Sequence, residues 1–218
     1  MTRRLPSLVA VLTLAWVAAI GTAEEKGFEP LFDGKSLKGW EGNLKMFRVE
    51  NKAIVAGTLK TKIPHNDFLC TRREFENFEL RLQARLIGKG HNAGIQFRSQ
   101  RIPKHFEVKG YQCDVGDMNG RSIWGSLYDE SRRRKFLAQG DNDKVSPLVK
   151  LSTVRADGWV NLVIRCEGPR TQIWVNGLQT VDYVEKDKGI PRRGIIGLQI
   201  HSGEPAEAWY RKIRIRKL

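Results

Sequence analysis

The chain has little cysteine, with Cys70, Cys113 and Cys166 as the only three among its 218 residues. Scaffolds that are held together by disulfides need a denser cysteine pattern, so this class of protein is excluded. Each cysteine falls in a strand-like run, which favours buried free thiols. An oxidising compartment would also permit one bridge, and the sequence does not determine which pair would form it.

Common catalytic and metal-binding motifs are missing as well. No CxxC, HxH or HExxH spacing occurs, so the sequence indicates no zinc site. No GxSxG segment, glycine-rich phosphate loop or cysteine–histidine signature occurs either, which excludes the sites that these motifs mark. Beyond the N-terminal segment, no amphipathic helical pattern exceeds about two turns, so strands are the main element to expect.

The first 23 residues have the pattern of a secretory signal peptide. Arg3 and Arg4 form a positive start, Leu5 to Ile20 is apolar, and Gly21–Ala23 offers small residues for cleavage. The apolar run is short for a membrane span and no stop-transfer pattern follows, although a retained N-terminal anchor is the alternative. We therefore expect residues 24–218 to form one exported domain, periplasmic or extracellular, with no stable membrane span after cleavage.

Basic residues outnumber acidic ones, which gives a formal net charge of +14, or +12 once Arg3 and Arg4 leave with the signal peptide. This balance favours acidic partners, and export argues against nucleic acid as the natural ligand. One basic run, Arg132–Lys135, lies in a predicted loop and suggests contact with an anionic polysaccharide. The other run, Arg211–Lys217, alternates with isoleucine and is typical of a strand with a solvated basic face.

Alternating apolar and polar residues predict many short β-strands. The clearest run is Phe78–Leu86, nine residues without a break in the alternation. Asn176–Gly177 separates two further runs and is a strong signal for a two-residue hairpin turn. No repeat period occurs that would indicate a propeller or a solenoid. The pattern therefore predicts an all-β sandwich or jelly roll.

The stretch Asn92–Asp117 contains two strand-like runs joined by a basic loop. A period of two places the apolar residues of both runs on one face: Ala93, Ile95, Phe97, Tyr111, Cys113 and Val115. The other face carries amides, a guanidinium, a carboxylate and a glycine: Asn92, Gly94, Gln96, Arg98, Gln112 and Asp114. Amides beside glycine are typical of a floor on which a polar ligand approaches the backbone, and a solvated face with glycine bulges is the alternative.

Two other predicted strands present similar chemistry. In Ser122–Tyr128, alternation places Trp124 and Tyr128 on one face, and in Gly194–His201 it places Gln199 beside His201. Rings with polar tips suit sugars, whose C–H faces stack while their hydroxyls hydrogen-bond, although Trp124 is equally consistent with core packing. The residues predicted to bind a sugar are Asn92, Gln96, Gln112, Trp124, Tyr128 and Gln199.

Four ionisable residues are candidates for chemistry. Asp114 and Glu130 could transfer protons, and His201 titrates in a useful range, with a structural histidine as the alternative. Arg98 could bind an oxyanion through two parallel N–H bonds, or form a buried ion pair with Asp114. A two-carboxylate glycosidase also needs a defined separation between its acids, which the sequence does not provide.

Six segments together make the sequence resemble the 3-keto-disaccharide hydrolase family: LFDGKSLKGW, HNAGIQFRS, KGYQCDVGD, SIWGSLYDE, WVNLVIRCEGPRTQIWVNG, and GIIGLQIHSG with YRKIRIRKL. Each segment is weak alone, but all occur in order between Glu29 and Leu218. The resemblance implies a concanavalin-like jelly-roll sandwich of two antiparallel sheets. It also implies an exported bacterial protein that acts on 3-keto-glycosides.

The chain departs from the family pattern at one position of the site. Members commonly show Gly-Tyr-Glu-x-Gln where this chain has Gly110–Asp114, so Gln112 replaces a common glutamate and Asp114 is an acid two residues further on. Members also commonly show a serine where this chain has Ala93. The residues Arg98, Tyr128, Gln199 and His201 match the pattern. If the glutamate is the base in other members, either Asp114 replaces it or the chain is a non-catalytic carbohydrate-binding sandwich.

The implied substrate suggests a reaction route. A ketone at C3 acidifies the hydrogen at C2, so a base can remove it; the oxygen on C1 then leaves, and water adds to the resulting enone. We expect Asp114 or His201 as the base, Arg98 as the stabiliser of the C3 oxyanion, and Glu130 or Tyr128 as the acid. A divalent metal in place of Arg98 stays open, and no cofactor is indicated with certainty.

Overall fold

The computed structural model describes residues 26–218, except for the side chain of Thr153. The predicted signal peptide, residues 1–23, lies outside the described residues. Within residues 26–218 the chain forms sixteen strands and one helix. That helix is not long and apolar enough to cross a membrane.

In chain order the elements are β1 (Glu29–Pro30), β2 (Trp40–Glu41), β3 (Phe47–Glu50), β4 (Ala53–Thr58), β5 (Asp67–Phe75), β6 (Phe78–Gly88), β7 (Asn92–Arg101), β8 (Val108–Met118), β9 (Arg121–Ser122), β10 (Leu127–Glu130), β11 (Phe136–Ala138), α1 (Asn142–Arg155), β12 (Val160–Glu167), β13 (Arg170–Val175), β14 (Leu178–Val184), β15 (Gly194–Ile200) and β16 (Ala206–Lys217). The hairpin predicted at Asn176–Gly177 joins β13 to β14, as expected.

The strands form two antiparallel sheets of eight strands each. The first sheet has the order β14-β13-β12-β6-β16-β4-β3, with β1 paired to β16. The second has the order β11-β10-β8-β7-β15-β5-β2, with β9 paired to β8. Neighbours in each sheet come from distant parts of the chain, since β6 lies between β12 and β16. The fold is the all-β, two-sheet jelly-roll sandwich that the sequence predicts.

The hydrophobic core lies between the two sheets, and the predicted alternation supplies it. Phe78, Leu80 and Leu82 of β6 face inward from the first sheet, and Ala93, Ile95, Phe97, Tyr111, Cys113 and Val115 face inward from β7 and β8. Because successive side chains of a strand point to opposite faces, the polar residues between these positions lie on the other face of the second sheet. We call this face, turned away from the first sheet, the outer face.

The strand predicted over Ser122–Tyr128 is wrong in its middle. The chain forms β9 and β10 at the two ends of this stretch, and a turn between them closes with a bond from Ser126 N to Ile123 O of 2.9 Å. Gly125 adopts a φ of +72°, and a Cβ there would lie 2.4 Å from Val175 Cγ2. Only glycine fits this turn, which interrupts the alternation of faces.

Helix α1 was not predicted. Its N-cap is Asp141, whose side chain accepts a hydrogen bond from Asp143 N at 3.0 Å. Val145 is buried against the sandwich, whereas Leu151 and Val154 are exposed and Pro147 lies inside the helix. Apolar residues on both sides of the helix weaken the period of 3.6, so the helical pattern is not visible in the sequence.

Candidate functional site

A cavity of about 200 Å³ opens on the outer face of the second sheet. The register of β15, β7, β8 and β10 builds its floor, because Gln199 pairs with Gly94, Gly94 with Asp114, and Gln112 with Tyr128. Three carboxyl groups line the cavity, from Glu107, Asp114 and Glu130. Amides and rings also line the cavity, from Asn66, Asn92, Gln112, Tyr128, Phe136 and His201. The predicted amide-rich face is therefore the floor of a cavity.

A chain of hydrogen bonds orients the buried amides of this floor. Ser99 Oγ donates to Gln96 Oε1 at 2.7 Å, Gln96 Nε2 donates to Gln112 Oε1 at 2.6 Å, and Gln112 Nε2 donates to Asp114 Oδ1 at 2.6 Å. Each amide accepts with its oxygen and donates with its nitrogen, so the chain has one direction. Gln96 lies behind Gln112 and holds it, and Gln112 in turn holds the Asp114 carboxyl group.

Two carboxyl groups of the cavity have a raised pKa. Burial raises the pKa of Asp114 well above its usual range, and the nearby Glu130 adds to this, while the hydrogen bond from Gln112 opposes it. Burial also raises the pKa of Glu130, helped by the charge of Glu107 and opposed by His201. Buried carboxyl groups that favour their protonated form can donate protons or hydrogen bonds at neutral pH.

Glu107 and Ser131 extend the acidic side of the cavity. Ser131 Oγ donates to Glu107 Oε2 and lies 3.4 Å from Glu130 Oε1. One hydroxyl thus links two carboxyl groups that repel each other. Alternation did not identify Glu107, because this residue lies outside any alternating run, at the end of the loop that joins the two runs of Asn92–Asp117. Its nearness in sequence to Val108, where β8 begins, is the only signal that could have identified it.

The orientation of His201 leaves one ring nitrogen facing away from the backbone. Its Nδ1 lies 2.7 Å from Ser202 O. A carbonyl oxygen only accepts, so Nδ1 carries the hydrogen and Nε2 keeps its lone pair in the neutral ring. Since His201 lines the cavity, Nε2 is a base available to a ligand.

Two buried oxygens at the floor have no hydrogen-bond partner within the described residues. They are Asn92 Oδ1 and Gln199 Oε1. The amide nitrogen of Gln199, Nε2, donates to Glu130 Oε2 at 3.4 Å. Buried acceptors without a donor are costly, and a ligand rich in hydroxyl groups would satisfy that of Asn92, which lines the cavity, whereas Gln199 does not line it. Both residues were predicted to bind a sugar.

The structure places Arg98 outside the cavity, contrary to the prediction. Arg98 has a φ of +48° and lies at a bulge between Phe97 and Gln100, which turns its side chain off the outer face. Its guanidinium donates to Glu76 O, Gly168 O and Asn77 Oδ1 at 2.9, 2.8 and 3.2 Å. The guanidinium is therefore engaged away from the cavity, and within the described residues it forms no ion pair with Asp114.

Trp124 is also separated from the site, because the turn before β10 reverses its direction. It is 5% exposed, packs in the core, and lines a second cavity of about 320 Å³ with Arg85 and Lys150. That cavity is larger, but its lining includes none of Asp114, Glu130 and His201. The core-packing alternative for Trp124 therefore describes it, and Tyr128 alone of the pair reaches the candidate site.

The basic run Arg132–Lys135, which was predicted to lie in a loop, is largely neutralised within the molecule. Arg132 pairs with Asp129 at 2.8 Å, and Arg133 pairs with Asp129 and with Glu185 at 2.7 Å. Arg134 is exposed at the cavity lining, where no ion pair engages it within residues 26–218. Arg134 and Asn66 are further lining residues that the sequence did not identify, since both lie in loops.

The donors for a metal ion are not assembled. In the part of the chain that is described, no group of three or more histidine, cysteine, aspartate or glutamate residues could hold one. The residues present therefore do not fit a divalent metal as the electrophile.

Comparisons with known proteins agree with the resemblance of the sequence. The family model described as a 3-keto-alpha-glucoside-1,2-lyase-like domain matches residues 27–216. No curated protein matches the sequence.

Solved structures share the fold at low sequence identity. A candidate glycosyl hydrolase from Parabacteroides distasonis has a TM-score of 0.60 and 18% identity, over 88% of this chain and 94% of that one. The carbohydrate-binding module CBM66 from Bacillus subtilis has a TM-score of 0.57 and 15% identity, over 82% and 96%. A Bacillus licheniformis beta-glucanase has a TM-score of 0.56 and 9% identity, over 88% and 97%.

Proposed function

The chain belongs to the 3-keto-disaccharide hydrolase family, whose domain is described as 3-keto-alpha-glucoside-1,2-lyase-like, and from this we propose that it cleaves 3-keto-glycosides. The observation that carries the proposal is the cavity in which two buried carboxyl groups of raised pKa lie beside the free Nε2 of His201. A carbohydrate ligand is supported by Asn92 Oδ1, an acceptor without a partner among the described residues, on a residue that lines the cavity.

In the first step, His201 Nε2 takes the proton from C2 of the sugar. The C2–H electron pair becomes the C2–C3 double bond of an enediolate, and the C3 oxygen receives the negative charge. A neutral imidazole suits this task because the lone pair on Nε2 can accept the proton. The bond from Nδ1 to Ser202 O keeps the ring in the tautomer that the step requires.

Asp114 stabilises the C3 oxygen in this proposal. With Arg98 engaged elsewhere, we assign this role to a carboxyl group whose pKa burial raises well above its usual range. Gln112 occupies Oδ1, so the acidic hydrogen on Oδ2 is free to donate to the developing oxyanion. A buried neutral acid can supply such a hydrogen bond without placing a second negative charge in the cavity.

Glu130 then protonates the leaving oxygen. The enediolate re-forms the C3 carbonyl, the C1–O bond breaks, and a C1–C2 double bond is formed, so the leaving group departs as an alcohol with the Glu130 proton. The raised pKa of Glu130 supports this role as acid. Water then adds to C1 while C2 regains a proton, and the net result is hydrolysis. Tyr128, which also lines the cavity, is the alternative acid.

The experiment uses methyl 3-keto-α-glucoside in deuterated water and follows deuterium entry at C2 and methanol release. His201→Gln should slow both by about 100-fold, because the base is lost. Glu130→Gln should retain exchange and slow release, because deprotonation precedes departure of the leaving group. Glu50→Gln, a glutamate of the first sheet paired with Arg48, is the control and should change neither rate.

A non-catalytic carbohydrate-binding sandwich is the second candidate. Gln112, which stands where the family commonly has glutamate, favours it. On this function, the protein would bind 3-keto-glycosides with neither C2 exchange nor release of the alcohol across several substrates. Binding without exchange would therefore replace the enzyme with the binding module.

Export and contact with an anionic polysaccharide are further proposals. Cleavage before Glu24 would be seen in the N-terminal sequence of the mature protein. If the run Arg132–Lys135 makes this contact, the affinity for an acidic polysaccharide should fall as salt is raised. An affinity that does not change with salt would contradict it. The exposed cations of this run are Arg134 and Lys135, since Arg132 and Arg133 are paired.

A further inference from the structure

Three aromatic rings from two loops are stacked beside the cavity. The ring of His65 lies against Phe106 with centroids 4.0 Å apart and an interplanar angle of 21°. The ring of His105 lies 4.3 Å from the same phenyl ring at 33°. We call this group the rim stack. Phe106 remains 45% exposed although two aromatic rings pack against it.

The rim stack lies at the edge of the cavity, because the residues that follow His65 and Phe106 in the sequence line the cavity. Asn66 follows His65 and Glu107 follows Phe106, and both lie in the cavity wall. Ser131 joins Glu107 to the side of Glu130, the proposed acid. A leaving group attached to the oxygen that Glu130 protonates therefore emerges on the side of Glu107 and the rim stack.

Backbone hydrogen bonds hold the loop that carries Phe106. Ile102 N donates to Glu107 O at 3.4 Å and His105 N donates to Ile102 O at 3.2 Å. Glu107 N donates to His105 Nδ1 at 3.1 Å, which fixes the imidazole against the loop. On the other side, His65 Nδ1 lies 2.9 Å from Asn66 O. The rings are thus positioned before any ligand binds, and little entropy is lost on contact.

The size of the cavity leaves part of a disaccharide outside it. A volume of about 200 Å³ lies below the roughly 300–1,000 Å³ of pockets that enclose a drug-sized ligand. One sugar ring fits at the carboxyl groups, and a second ring has to lie at the rim. An exposed aromatic surface there matches the apolar face of a sugar ring or of an aromatic leaving group.

We propose that the rim stack of His65, Phe106 and His105 is the binding platform for the leaving group, and that it selects 3-keto-glycosides whose leaving group is itself a ring. This inference rests on the proposed function. The ligand chemistry is a ring with an apolar face, which either a second sugar or an aromatic alcohol can supply.

The test compares three 3-keto-α-glucosides whose leaving groups are methyl, phenyl and glucosyl. Phe106→Ala should lower kcat/KM for the phenyl and glucosyl substrates by about five- to tenfold and leave the methyl substrate within about twofold. Ratios of variant to wild type are compared for each substrate, so differences in intrinsic leaving-group reactivity cancel. A loss for phenyl alone, or for glucosyl alone, identifies which kind of ring the platform accepts.

Two variants control for general effects. Phe106→Tyr keeps the ring and should retain wild-type selectivity, while Leu151→Ala removes an apolar side chain of similar exposure, 42%, from helix α1 and should change no ratio. An equal loss of kcat/KM for all three substrates in Phe106→Ala would overturn the platform, and so would no loss for any of them.

Failure of the proposed function has a different result. If the wild-type protein turns over none of the three substrates, the enzyme is contradicted, and the platform is then judged by calorimetric binding. Tighter binding of the phenyl or glucosyl compound than of the methyl compound, abolished by Phe106→Ala, would support the platform without catalysis. Equal binding of all three would overturn it.

Discussion

The buried carboxyl group of Asp114 makes the stability of the folded chain depend on pH. It is 3% exposed, and burial raises its pKa well above the usual range. The folded state therefore holds this proton more tightly than the unfolded state. Stability from this group is unaffected below the unfolded pKa of about 3.9 and falls as pH rises towards the folded pKa, by about 1.4 kcal/mol per unit of difference.

Asp114→Asn should consequently be stabilising relative to wild type in a pH-dependent way. The variant keeps an oxygen that accepts from Gln112 and cannot ionise. The difference in melting temperature, variant minus wild type, should therefore increase as the pH rises from about 4 to about 8. A difference between the two proteins that is the same at both values would contradict the raised pKa.

Glu185→Gln is the control of opposite sign. Burial alone would raise the pKa of Glu185, but hydrogen bonds from Arg133 and Tyr111 outweigh burial and lower the pKa to about 2. A lowered folded pKa contributes stability above the unfolded pKa and loses it as pH falls. This variant should therefore lose more stability at about pH 7 than at about pH 3.

Arg98 is a structural residue, and its replacement should separate stability from binding. Arg98→Ala removes a side chain that is 2% exposed together with its three hydrogen bonds, so we expect the free energy of unfolding to fall by about 3 kcal/mol. Urea unfolding measures it. Ligand affinity of the folded protein should be unchanged, whereas a large loss of affinity would return Arg98 to the site.

Arg170→Ala is the matched control for that measurement. Its guanidinium is exposed and paired with Asp182 at 2.6 Å. Exposed ion pairs contribute little, so the loss should be much smaller than that of Arg98→Ala.

At the residue scale, alternation predicted the lining residues Asn92, Gln112 and Asp114 because regular strands obey a period of two. It misplaced Arg98 because one residue with a left-handed φ at a bulge changes which way a side chain points. A bulge leaves no mark in the pattern of apolar residues. Glu107 was missed for a related reason, since loop residues have no periodicity to read.

Within strand β7, Gly94 provides the space for the amide chain. A Cβ at this position would lie 2.5 Å from Gln112 Cδ and 2.7 Å from Gln112 Cγ. Gly94→Ala should therefore displace Gln112, break its bonds to Gln96 and Asp114, and cost about 1–3 kcal/mol of stability. Activity on a 3-keto-glycoside should fall with it, because Asp114 loses its orientation.

A double-mutant cycle tests this cause directly. In a Gln112→Ala background the clash is gone, so adding Gly94→Ala should be nearly neutral. Equal costs in both backgrounds, measured by urea unfolding, would show that Gly94 matters for another reason.

At the element scale, strands with clean alternation, such as β6 and β12, were predictable because each has one face in the core. Helix α1 and the turn before β10 were not. The helix places apolar residues on both sides, and the turn depends on the packing of Gly125 against Val175, a contact between distant parts of the chain. Tertiary contacts of this kind override local pattern.

For the molecule as a whole, the fold does not decide between catalysis and binding. Similar sandwiches occur in a beta-glucanase and in a carbohydrate-binding module. Function has to be argued from the site, because one scaffold can support both. Here the pairing of a free imidazole nitrogen with carboxyl groups of raised pKa favours proton transfer, while Gln112 marks the position at which the binding alternative would have arisen.

The same scale explains how the chain is stabilised, since its three cysteines are free and buried. Cys70 lies in a different buried cluster from Cys113 and Cys166. Burial raises the pKa of Cys70 to about 12 and that of Cys166 to about 11, and it raises the pKa of Cys113 further. Few thiolates exist at neutral pH, so oxidation is slow even in an oxidising compartment. A sandwich of this size buries enough apolar surface to fold without cross-links.

We therefore expect the melting temperature to be the same with and without reductant. A thiol reagent should find no reactive cysteine in the native protein and three in the unfolded one, because every thiol is buried and unbridged. A lower melting temperature with reductant, together with a single thiol on unfolding, would reveal a bridge instead. The protein should be purified from an exported fraction for this measurement, since only there would an oxidising environment have had the opportunity to form one.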